Sequence, residues 1–366
     1  MPYDTESNDT YNHRPVPSLT GKIFFVTGGS GFVGSNLVHM LCHYGAHVLV
    51  LMRGKHAINL TGLEIQPVHG DLHTANYEQA LRGVDGVFHV AADYRLWAKN
   101  PQEIYHTNVE GTKKLMRACI DANIKRVVYT SSVATLGTIP QGTHGSGHGN
   151  KDDSRERLCA DEETPVSFDD MVGDYKKSKF LAEEETQQLV AKEGLQAIIV
   201  NPSAPVGGRD RRPTATGRMI LEAASGRMPA YVESGLNIVH VEDVAMGHIL
   251  AWEKGIVGRR YILGGENMKL GAIFRTAAKL GGHRGPFVRL PRHVLMPFAY
   301  INEALASFRH KGYEPLLTVT GVKLAKKHMF FSSQRAVDEL GYAPRPAIEA
   351  IQTAVAWFRR NNYLPT

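Results

Sequence analysis

The segment Thr27-Gly-Gly-Ser-Gly-Phe-Val-Gly34 is the part of this 366-residue chain that decides the fold. It follows a short apolar run, Ile23 to Val26, and it precedes residues 36–44, whose apolar side chains have helical spacing. A strand, a glycine-rich turn and a helix together form a site where helix N-terminal amides bind a dinucleotide pyrophosphate. The sequence therefore predicts cofactor contacts at Gly28, Gly31, Phe32, Val33 and Gly34.

The alternation of strands and helices continues along the chain. Buried strands are predicted at residues 47–52, 86–91, 126–130 and 197–200, and helices at residues 101–123 and 175–190. This pattern indicates the α/β class, with a Rossmann-type doubly wound parallel sheet and a smaller C-terminal α/β substrate-binding portion. We expect a flexible polar tail at 1–20, an NAD(P)-binding domain at 21–200 and a mainly substrate-binding portion at 201–366. Elements at about 237–263 are expected to return to the sheet.

The residues after the second strand indicate which nicotinamide cofactor is used. NAD sites usually carry an acidic residue about 20 positions after the glycines, where it binds the ribose hydroxyls. Here Arg53 and Lys55 occupy the region, and no acidic residue follows the turn before Glu64. Because a guanidinium can bind a 2′-phosphate through two hydrogen bonds, the sequence predicts NADP(H), with NAD(H) as the alternative. Asp71 is expected either to contact the adenine edge or to cap its own loop.

Tyr175 and Lys179 form the predicted proton-transfer pair. They are four residues apart, so on a helix their side chains share one face. A phenol with a pKa of about 10 is a poor acid at neutral pH, and a neighbouring ammonium lowers that pKa. After the strand at 126–130 come Ser131 and Ser132, where one hydroxyl can hold the substrate oxygen and the other is expected to cap the strand end.

Charge and cysteine usage narrow the function classes. The formal charge of +6 comes from 42 basic and 36 acidic residues that are scattered along the chain, which favours phosphates on a cofactor or substrate over nucleic acid. Cys42, Cys119 and Cys159 are an odd number without metal-ligand spacing, as expected for a reduced, cytoplasmic protein.

Two stretches interrupt the regular pattern. Residues 137–165 predict a long surface loop, in which His144 and His148 have no Cys or carboxylate at ligand spacing, so no metal is expected. Residues 290–308 are apolar but interrupted by charged residues and proline, which argues against a membrane span. We expect a packed helix there, with peripheral membrane contact or contact with an apolar substrate tail as the alternatives.

Several motifs together resemble the extended short-chain dehydrogenase/reductases. Within that superfamily the segments 89–98, 229–232, 261–267 and 330–333 are most similar to hopanoid-associated sugar epimerases, which are themselves similar to dihydroflavonol reductases. The superfamily motifs are the glycine-rich turn, His89-Val-Ala-Ala92, Asn108-Val-Glu-Gly-Thr112, Tyr129-Thr-Ser-Ser132, Tyr175-Lys-Lys-Ser-Lys179, Asn201-Pro-Ser203 and His240-Val-Glu-Asp-Val244.

The resemblance implies roles for residues that the motifs match. Ser132 is implied as the catalytic hydrogen-bonding serine, Tyr175 as the proton donor or acceptor, and Lys179 as the residue that binds the nicotinamide ribose and tunes Tyr175. It also implies a homodimer joined through the helices at 101–123 and 175–190. The cofactor site would further include Leu72, Ala91, Ala92, Thr130, Pro202 and Ser203.

Three functions remain open at this stage. An epimerase oxidises a sugar hydroxyl and reduces the ketone from the other side, whereas an aldehyde or ketone reductase delivers hydride from NADPH once. A nucleotide-sensing regulator is disfavoured because Ser132, Tyr175 and Lys179 are all present. We expect an enzyme acting on a small-molecule or lipid-linked sugar or polyol, as in the hopanoid-associated epimerases. Candidate substrate residues are Asp93, Tyr94, Ser132, Arg209, Arg212, Thr216 and His240.

Overall fold

A computed structural model of the protein describes residues 18–54, 56–139, 159–286, 288–307, 319–324 and 328–364. Its strands alternate with helices through most of the first 200 residues, as the sequence predicts. The strands are β1 (Ile23–Thr27), β2 (His47–Met52), β3 (Ile65–His69), β4 (Gly86–His89), β5 (Val127–Thr130), β6 (Ala197–Pro202), β7 (Ala204–Val206), β8 (Ala230–Tyr231), β9 (Gly235–His240), β10 (Arg260–Leu263), β11 (Glu266–Lys269) and β12 (Val288–Arg289).

Helices cover both faces of the sheet and form most of the C-terminal portion. They are α1 (Phe32–His43), α2 (Tyr77–Ala80), α3 (Gln102–Tyr105), α4 (Gly111–Asp121), α5 (Asp174–Glu193), α6 (Ala215–Ala224), α7 (Val241–Lys254), α8 (Leu270–Leu280), α9 (Arg292–Ser307), α10 (Val319–Leu324), α11 (Gln334–Leu340) and α12 (Ala347–Arg360).

The central sheet has seven parallel strands in the order β3–β2–β1–β4–β5–β6–β10. Residues of α1, α7 and α11 pack on one face, and residues of α2, α4 and α5 pack on the other. The strands are added outward from β1 in one direction, to β2 and β3, and then from β4 in the other direction. Ligands bind doubly wound sheets at the point where this order reverses, here between β1 and β4, outside the carboxyl ends of the strands. The structure confirms the predicted Rossmann-type α/β class.

The smaller C-terminal portion contains a three-stranded sheet in the order β11–β9–β7 and the short pair β12–β8. Its core is formed largely by α6, α8 and α12. Residues 237–263 do not return to the central sheet as one piece. Only β10 joins that sheet beside β6, and α7 packs on its face, whereas β9 pairs with β7 and β11 in the smaller sheet.

The helix predicted at residues 101–123 is a helical run with a π-helical turn, His106–Glu110, between α3 and α4. Most of the predicted 1–20 tail and most of the 137–165 loop, with His144 and His148, lie outside the described residues. In the part of the chain that the structure describes, no helix is both long and apolar enough to cross a membrane.

Candidate active site

The turn between β1 and α1 brings the backbone close to any ligand that binds there. Gly28 has a φ of +69°, which favours glycine, and a Cβ at this position would lie 2.6 Å from the Ala91 backbone nitrogen. A Cβ on Gly34 would collide with the Gly28 carbonyl, so α1 packs directly on the turn. This cradle, next to the N-terminal amides of α1, fits the pyrophosphate of a dinucleotide.

Arg53 and Asp71 follow two neighbouring strands at the same edge of the sheet. Arg53 comes directly after β2 and is exposed, whereas Lys55 lies outside the described residues. The Asp71 carboxylate accepts hydrogen bonds from the backbone nitrogens of His73 and Thr74, each at 2.9 Å. These bonds, first the one from His73, hold the pKa of Asp71 below its ordinary value. Asp71 therefore caps its own loop, and its contact with adenine stays a prediction.

The other cofactor residues implied by the resemblance lie after the ends of four strands. The Ala91 backbone nitrogen donates to Thr27 Oγ1 at 3.2 Å, which ties the end of β4 to the end of β1. Buried His89 lies between Thr27 Oγ1, at 2.7 Å, and Thr112 Oγ1, at 2.9 Å. The carboxyl ends of parallel strands thus gather these residues along one crevice. They are Leu72 after β3, Ala91 and Ala92 after β4, Thr130 at the end of β5, and Pro202 and Ser203 at the end of β6.

Lys179 is buried on α5 and faces the end of β5. Its Nζ donates to the Thr130 carbonyl at 2.7 Å and to Tyr129 Oη at 3.1 Å. Burial lowers the pKa of Lys179 from 10.5 to about 7, and the Glu183 carboxylate one turn later opposes this shift.

Tyr175, on α5, and Ser132, after β5, contact each other through their side chains. Both side chains are half-buried. Burial raises the pKa of Tyr175, and a hydrogen bond with Ser132 opposes that rise. Ser132 Oγ also accepts the backbone N–H of Ala134 at 3.1 Å and so caps the short turn after β5, whereas Ser131 is buried. Ser132 therefore provides the cap after the strand end, and its contact with the substrate oxygen stays a prediction.

Glu183 is a buried residue of the site that the sequence interpretation missed. Its Oε2 accepts hydrogen bonds from Thr135 Oγ1 at 2.9 Å and from Asn201 Nδ2 at 3.0 Å. The same Thr135 hydroxyl and Asn201 amide reach the Ser132 carbonyl, at 2.8 and 3.1 Å. Glu183 thus fixes the backbone that carries Ser132. The available signal was its spacing, four residues after Lys179 on the same helix face.

Asn108 is the second missed residue, although its motif was recognised. Its amide side chain accepts from the Asp93 backbone nitrogen at 2.7 Å and donates to the Asp93 carbonyl at 2.9 Å. It also contacts Ser178 Oγ at 2.9 Å, beside Lys179 on α5. Asn108 lies in the π-helical turn, which places it between the loop after β4 and the catalytic helix.

The chain matches the family described as "NAD dependent epimerase/dehydratase family" over residues 24–264, more than half of its length. The protein belongs to this family. The match confirms the resemblance to the extended short-chain dehydrogenase/reductases, and it makes the protein an NAD(P)-dependent enzyme of the epimerase and reductase type.

Similar proteins include both reductases and sterol-modifying enzymes by name. The protein is 39% identical in sequence to a dihydroflavonol 4-reductase-like protein of Synechocystis, over 94% of this chain and 96% of that protein. It is 33% identical to sterol demethylase protein B of Methylococcus capsulatus, over 93% and 99% of the two chains. The crystal structure of gox2253 is 46% identical, with a TM-score of 0.79, over 94% of this chain and all of that one.

Four of the predicted substrate residues form two groups, Asp93 with Tyr94 and Arg209 with His240. Asp93 and Tyr94 lie in the loop after β4 that Asn108 anchors. The Asp93 carboxylate binds Arg95 Nε at 2.9 and 3.0 Å, and Tyr94 is 50% exposed. This group is connected to α5 through Asn108 and Ser178, whose hydroxyl donates to the Tyr175 carbonyl at 2.9 Å.

The second group lies between α1 and α7. Arg209 Nη1 donates to Asn36 Oδ1 at 2.9 Å, and His240 is buried as the N-cap of α7. The ring of His240 contacts Arg345 Nη2 at 2.9 Å and Thr353 Oγ1 at 3.2 Å. Contact of this group with substrate stays a prediction, and so does contact by exposed Arg212 and half-buried Thr216.

Proposed function

We propose that the protein transfers hydride between NADP(H) and a secondary alcohol or ketone of a sugar or polyol. The observation that carries this proposal is the grouping of Ser132, Tyr175 and buried Lys179 at the end of β5, in the crevice of the glycine-rich turn. The exposed Arg53 after β2 supports NADP(H), because its charge suits a 2′-phosphate.

The three side chains have complementary roles in the reducing direction. A nicotinamide cofactor held at the glycine-rich turn would supply the hydride that reduces the carbonyl carbon. The Ser132 hydroxyl donates a hydrogen bond to the carbonyl oxygen and so stabilises the charge that develops there. Tyr175 transfers its phenolic proton to the same oxygen, which completes the alcohol. Lys179, as an ammonium ion, lowers the free energy of the phenolate that remains.

Our first candidate activity is a hopanoid-associated sugar epimerase that acts on the polar head of a hopanoid precursor. Support for it comes from the motifs that resemble those epimerases. Such an enzyme oxidises a hydroxyl, lets the ketone turn over, and reduces it from the opposite face. Its cofactor is regenerated in each cycle, so retention of the nucleotide between cycles is expected.

The second candidate is an NADPH-dependent aldehyde or ketone reductase. Two observations favour it: the 39% identity to a dihydroflavonol 4-reductase-like protein, and the exposed Arg53 directly after β2. A reductase takes up NADPH and releases NADP in each turnover. It therefore has no need to hold the nucleotide through purification.

Nucleotide retention separates the two candidates. The purified protein is denatured, and any released nucleotide is identified and quantified by mass spectrometry. Stoichiometric NADP or NAD supports the epimerase. A protein that is purified empty and binds added NADPH reversibly supports the reductase.

The catalytic assignment is tested separately with Tyr175→Phe. We expect this variant to lose turnover while its affinity for NADPH stays near that of the wild type. The matched control is Tyr105→Phe, whose hydroxyl donates to Asp174 at 3.1 Å at the start of the same helix. Substantial residual activity in Tyr175→Phe would contradict the assignment of Tyr175 as the acid.

We further propose a homodimer joined through the helical segments at 101–123 and 175–190, in the cytoplasm. The family resemblance supports the dimer, and the free cysteines Cys42, Cys119 and Cys159 suit a reducing compartment. Light scattering after size-exclusion chromatography tests the dimer directly, because a monomeric mass would refute it.

A further inference from the structure

Helix α9 exposes an apolar surface that its own packing does not require. Leu295, Met296 and Ala299 pack against Val319 and Val322 of α10. Four other apolar side chains of α9 lie outside this contact and are exposed to solvent. They are Val294, Phe298, Tyr300 and Ile301, which are 41%, 59%, 57% and 57% exposed.

The spacing of three of these residues makes one continuous apolar stripe. Val294, Phe298 and Ile301 are separated by four and three residues, so they lie along one side of the helix. Tyr300 is also exposed, but it lies about 100° or more around the helix from these three residues and is not part of the stripe. Scattered exposed apolar residues are ordinary, whereas Val294, Phe298 and Ile301 adjoin one another, and a contiguous apolar patch of this kind marks a binding surface.

The net positive charge of the protein is concentrated in the same part of the sequence. Residues 284–328 contain eight Lys and Arg and two Asp and Glu, a formal charge of +6. The rest of the chain contains 34 of each kind (42 less 8 and 36 less 2), a formal charge of zero. Within the described residues, Arg284 and Arg289 are exposed just before α9.

We propose that α9 docks on an anionic lipid bilayer, lying in its surface with Phe298 and Ile301 in the acyl boundary. Interfacial helices combine such an apolar stripe with flanking basic residues, which contact lipid phosphates. Helix α9 has 16 residues and a length of about 24 Å, which is shorter than the hydrocarbon core of about 30 Å. The helix is therefore too short to span the bilayer, and in this proposal it lies parallel to the bilayer surface.

The charge distribution favours a bilayer over two other occupants. A second copy of the chain would bring this +6 segment against itself across a two-fold interface, which like charges oppose. Nucleic acid would use the basic residues but would leave Phe298, Tyr300 and Ile301 without an apolar partner. An anionic bilayer accommodates both properties at once.

The test is cosedimentation of the full chain with vesicles. Vesicles of phosphatidylcholine alone are compared with vesicles of phosphatidylcholine and phosphatidylglycerol, at low and high sodium chloride. We expect binding to the anionic vesicles at low salt, with much weaker binding to the neutral vesicles and at high salt. A wild-type protein that stays in the supernatant under all conditions would overturn the proposal.

Two pairs of variants locate the docking surface. Phe298→Ser/Ile301→Ser should bind anionic vesicles at least about tenfold more weakly, because two apolar anchors are lost. The matched control is Ile256→Ser/Ile348→Ser, which changes exposed isoleucines elsewhere, 52% and 46% exposed. Arg284→Glu should weaken binding about fivefold at low salt, whereas Arg82→Glu, a reversal at another exposed arginine, should not.

The outcomes distinguish the occupants. Equal binding by Phe298→Ser/Ile301→Ser and its control would overturn the proposal, and circular dichroism of each variant checks that it is folded. A wild-type dimer that Phe298→Ser/Ile301→Ser converts to a monomer, without a change in vesicle binding, would assign the stripe to a second copy instead. Cofactor binding and turnover are separate readouts, so failure here leaves the proposed function standing.

Discussion

Lys179 Nζ lies 3.1 Å from Tyr129 Oη and 4.6 Å from the centroid of the same ring. The Thr130 carbonyl accepts a second hydrogen bond from this amine at 2.7 Å. A buried ammonium loses its hydration, and these groups replace part of it with a carbonyl dipole, a hydroxyl and the face of a π system. Burial also raises the pKa of Tyr129, so its hydroxyl stays neutral beside the amine. Tyr129 is therefore a positioning residue for Lys179.

Tyr129→Phe removes the hydroxyl and keeps the ring. We expect kcat to fall by about tenfold, because a hydrogen bond to a charged group contributes about 1.5–3 kcal/mol and only part of it depends on this hydroxyl. The dissociation constant for NADPH should change much less. Steady-state kinetics and a fluorescence titration with NADPH measure the two quantities.

Tyr261→Phe is the control for removal of a buried tyrosine hydroxyl. Its hydroxyl donates to Glu339 at 2.8 Å, away from the catalytic helix. Both variants should lose some thermal stability, and Tyr129→Phe alone should lose turnover. Equal kinetics in the two variants would mean that Tyr129 contributes only to folding.

Glu183→Gln tests the charge that opposes the low pKa of Lys179. The carboxylate raises the pKa of Lys179, so its removal should lower that pKa below the value of about 7. The ammonium form is complete below the pKa of Lys179 and is lost as pH rises through it. The alkaline limb of the kcat/KM profile for reduction should therefore move to lower pH, by about one unit.

Glu184→Gln is the matched control for this charge effect, because Glu184 is the next residue on α5 and is exposed. Its pH profile should coincide with that of the wild type. A Glu183→Gln enzyme with lower kcat/KM but an unmoved alkaline limb would show that Glu183 acts only by holding the backbone of Ser132.

The parts of the site that could be predicted from sequence are those formed by residues close together in the chain. The glycine-rich turn directly joins the strand and the helix that flank it. Tyr175 and Lys179 are four residues apart on one helix. Glu183 has the same spacing, yet its partners Asn201 and Thr135 are 18 and 48 residues away along the chain. A buried carboxylate on an otherwise polar helix is indistinguishable from a solvated one until those partners are known.

His240 shows the same limit from the opposite side. The sequence places it among the candidate substrate residues. In the structure its ring contacts Arg345 and Thr353, which are 105 and 113 residues later in the chain. The sequence pattern around His240 contains no information about contacts at that distance. For the same reason the sequence did not distinguish β10, which joins the central sheet, from β9, which pairs with β7 and β11.

Arg53→Asp tests the cofactor assignment. A carboxylate at this position repels a 2′-phosphate and can accept hydrogen bonds from the ribose hydroxyls, so the ratio of kcat/KM for NADPH to that for NADH should fall by about 100-fold. The control Arg82→Asp changes another exposed arginine, on the loop after α2, and should leave the ratio unchanged. An unchanged ratio in Arg53→Asp would mean that another residue selects the cofactor.

Gly34→Ala tests whether close contact between α1 and the turn is needed for cofactor binding. The new Cβ would collide with the Gly28 carbonyl and approach Gly29 Cα, and both are backbone atoms that cannot move aside as a side chain can. Helix α1 must therefore shift from β1, at a cost of about 1–3 kcal/mol in the free energy of unfolding. We expect a lower melting temperature and NADPH affinity reduced by at least about tenfold. The control Gly83→Ala has a φ of +73° and no atom within 4 Å of its Cβ, so it should lose stability without losing NADPH affinity. Full NADPH affinity in a folded Gly34→Ala protein would show that the cofactor does not depend on this contact.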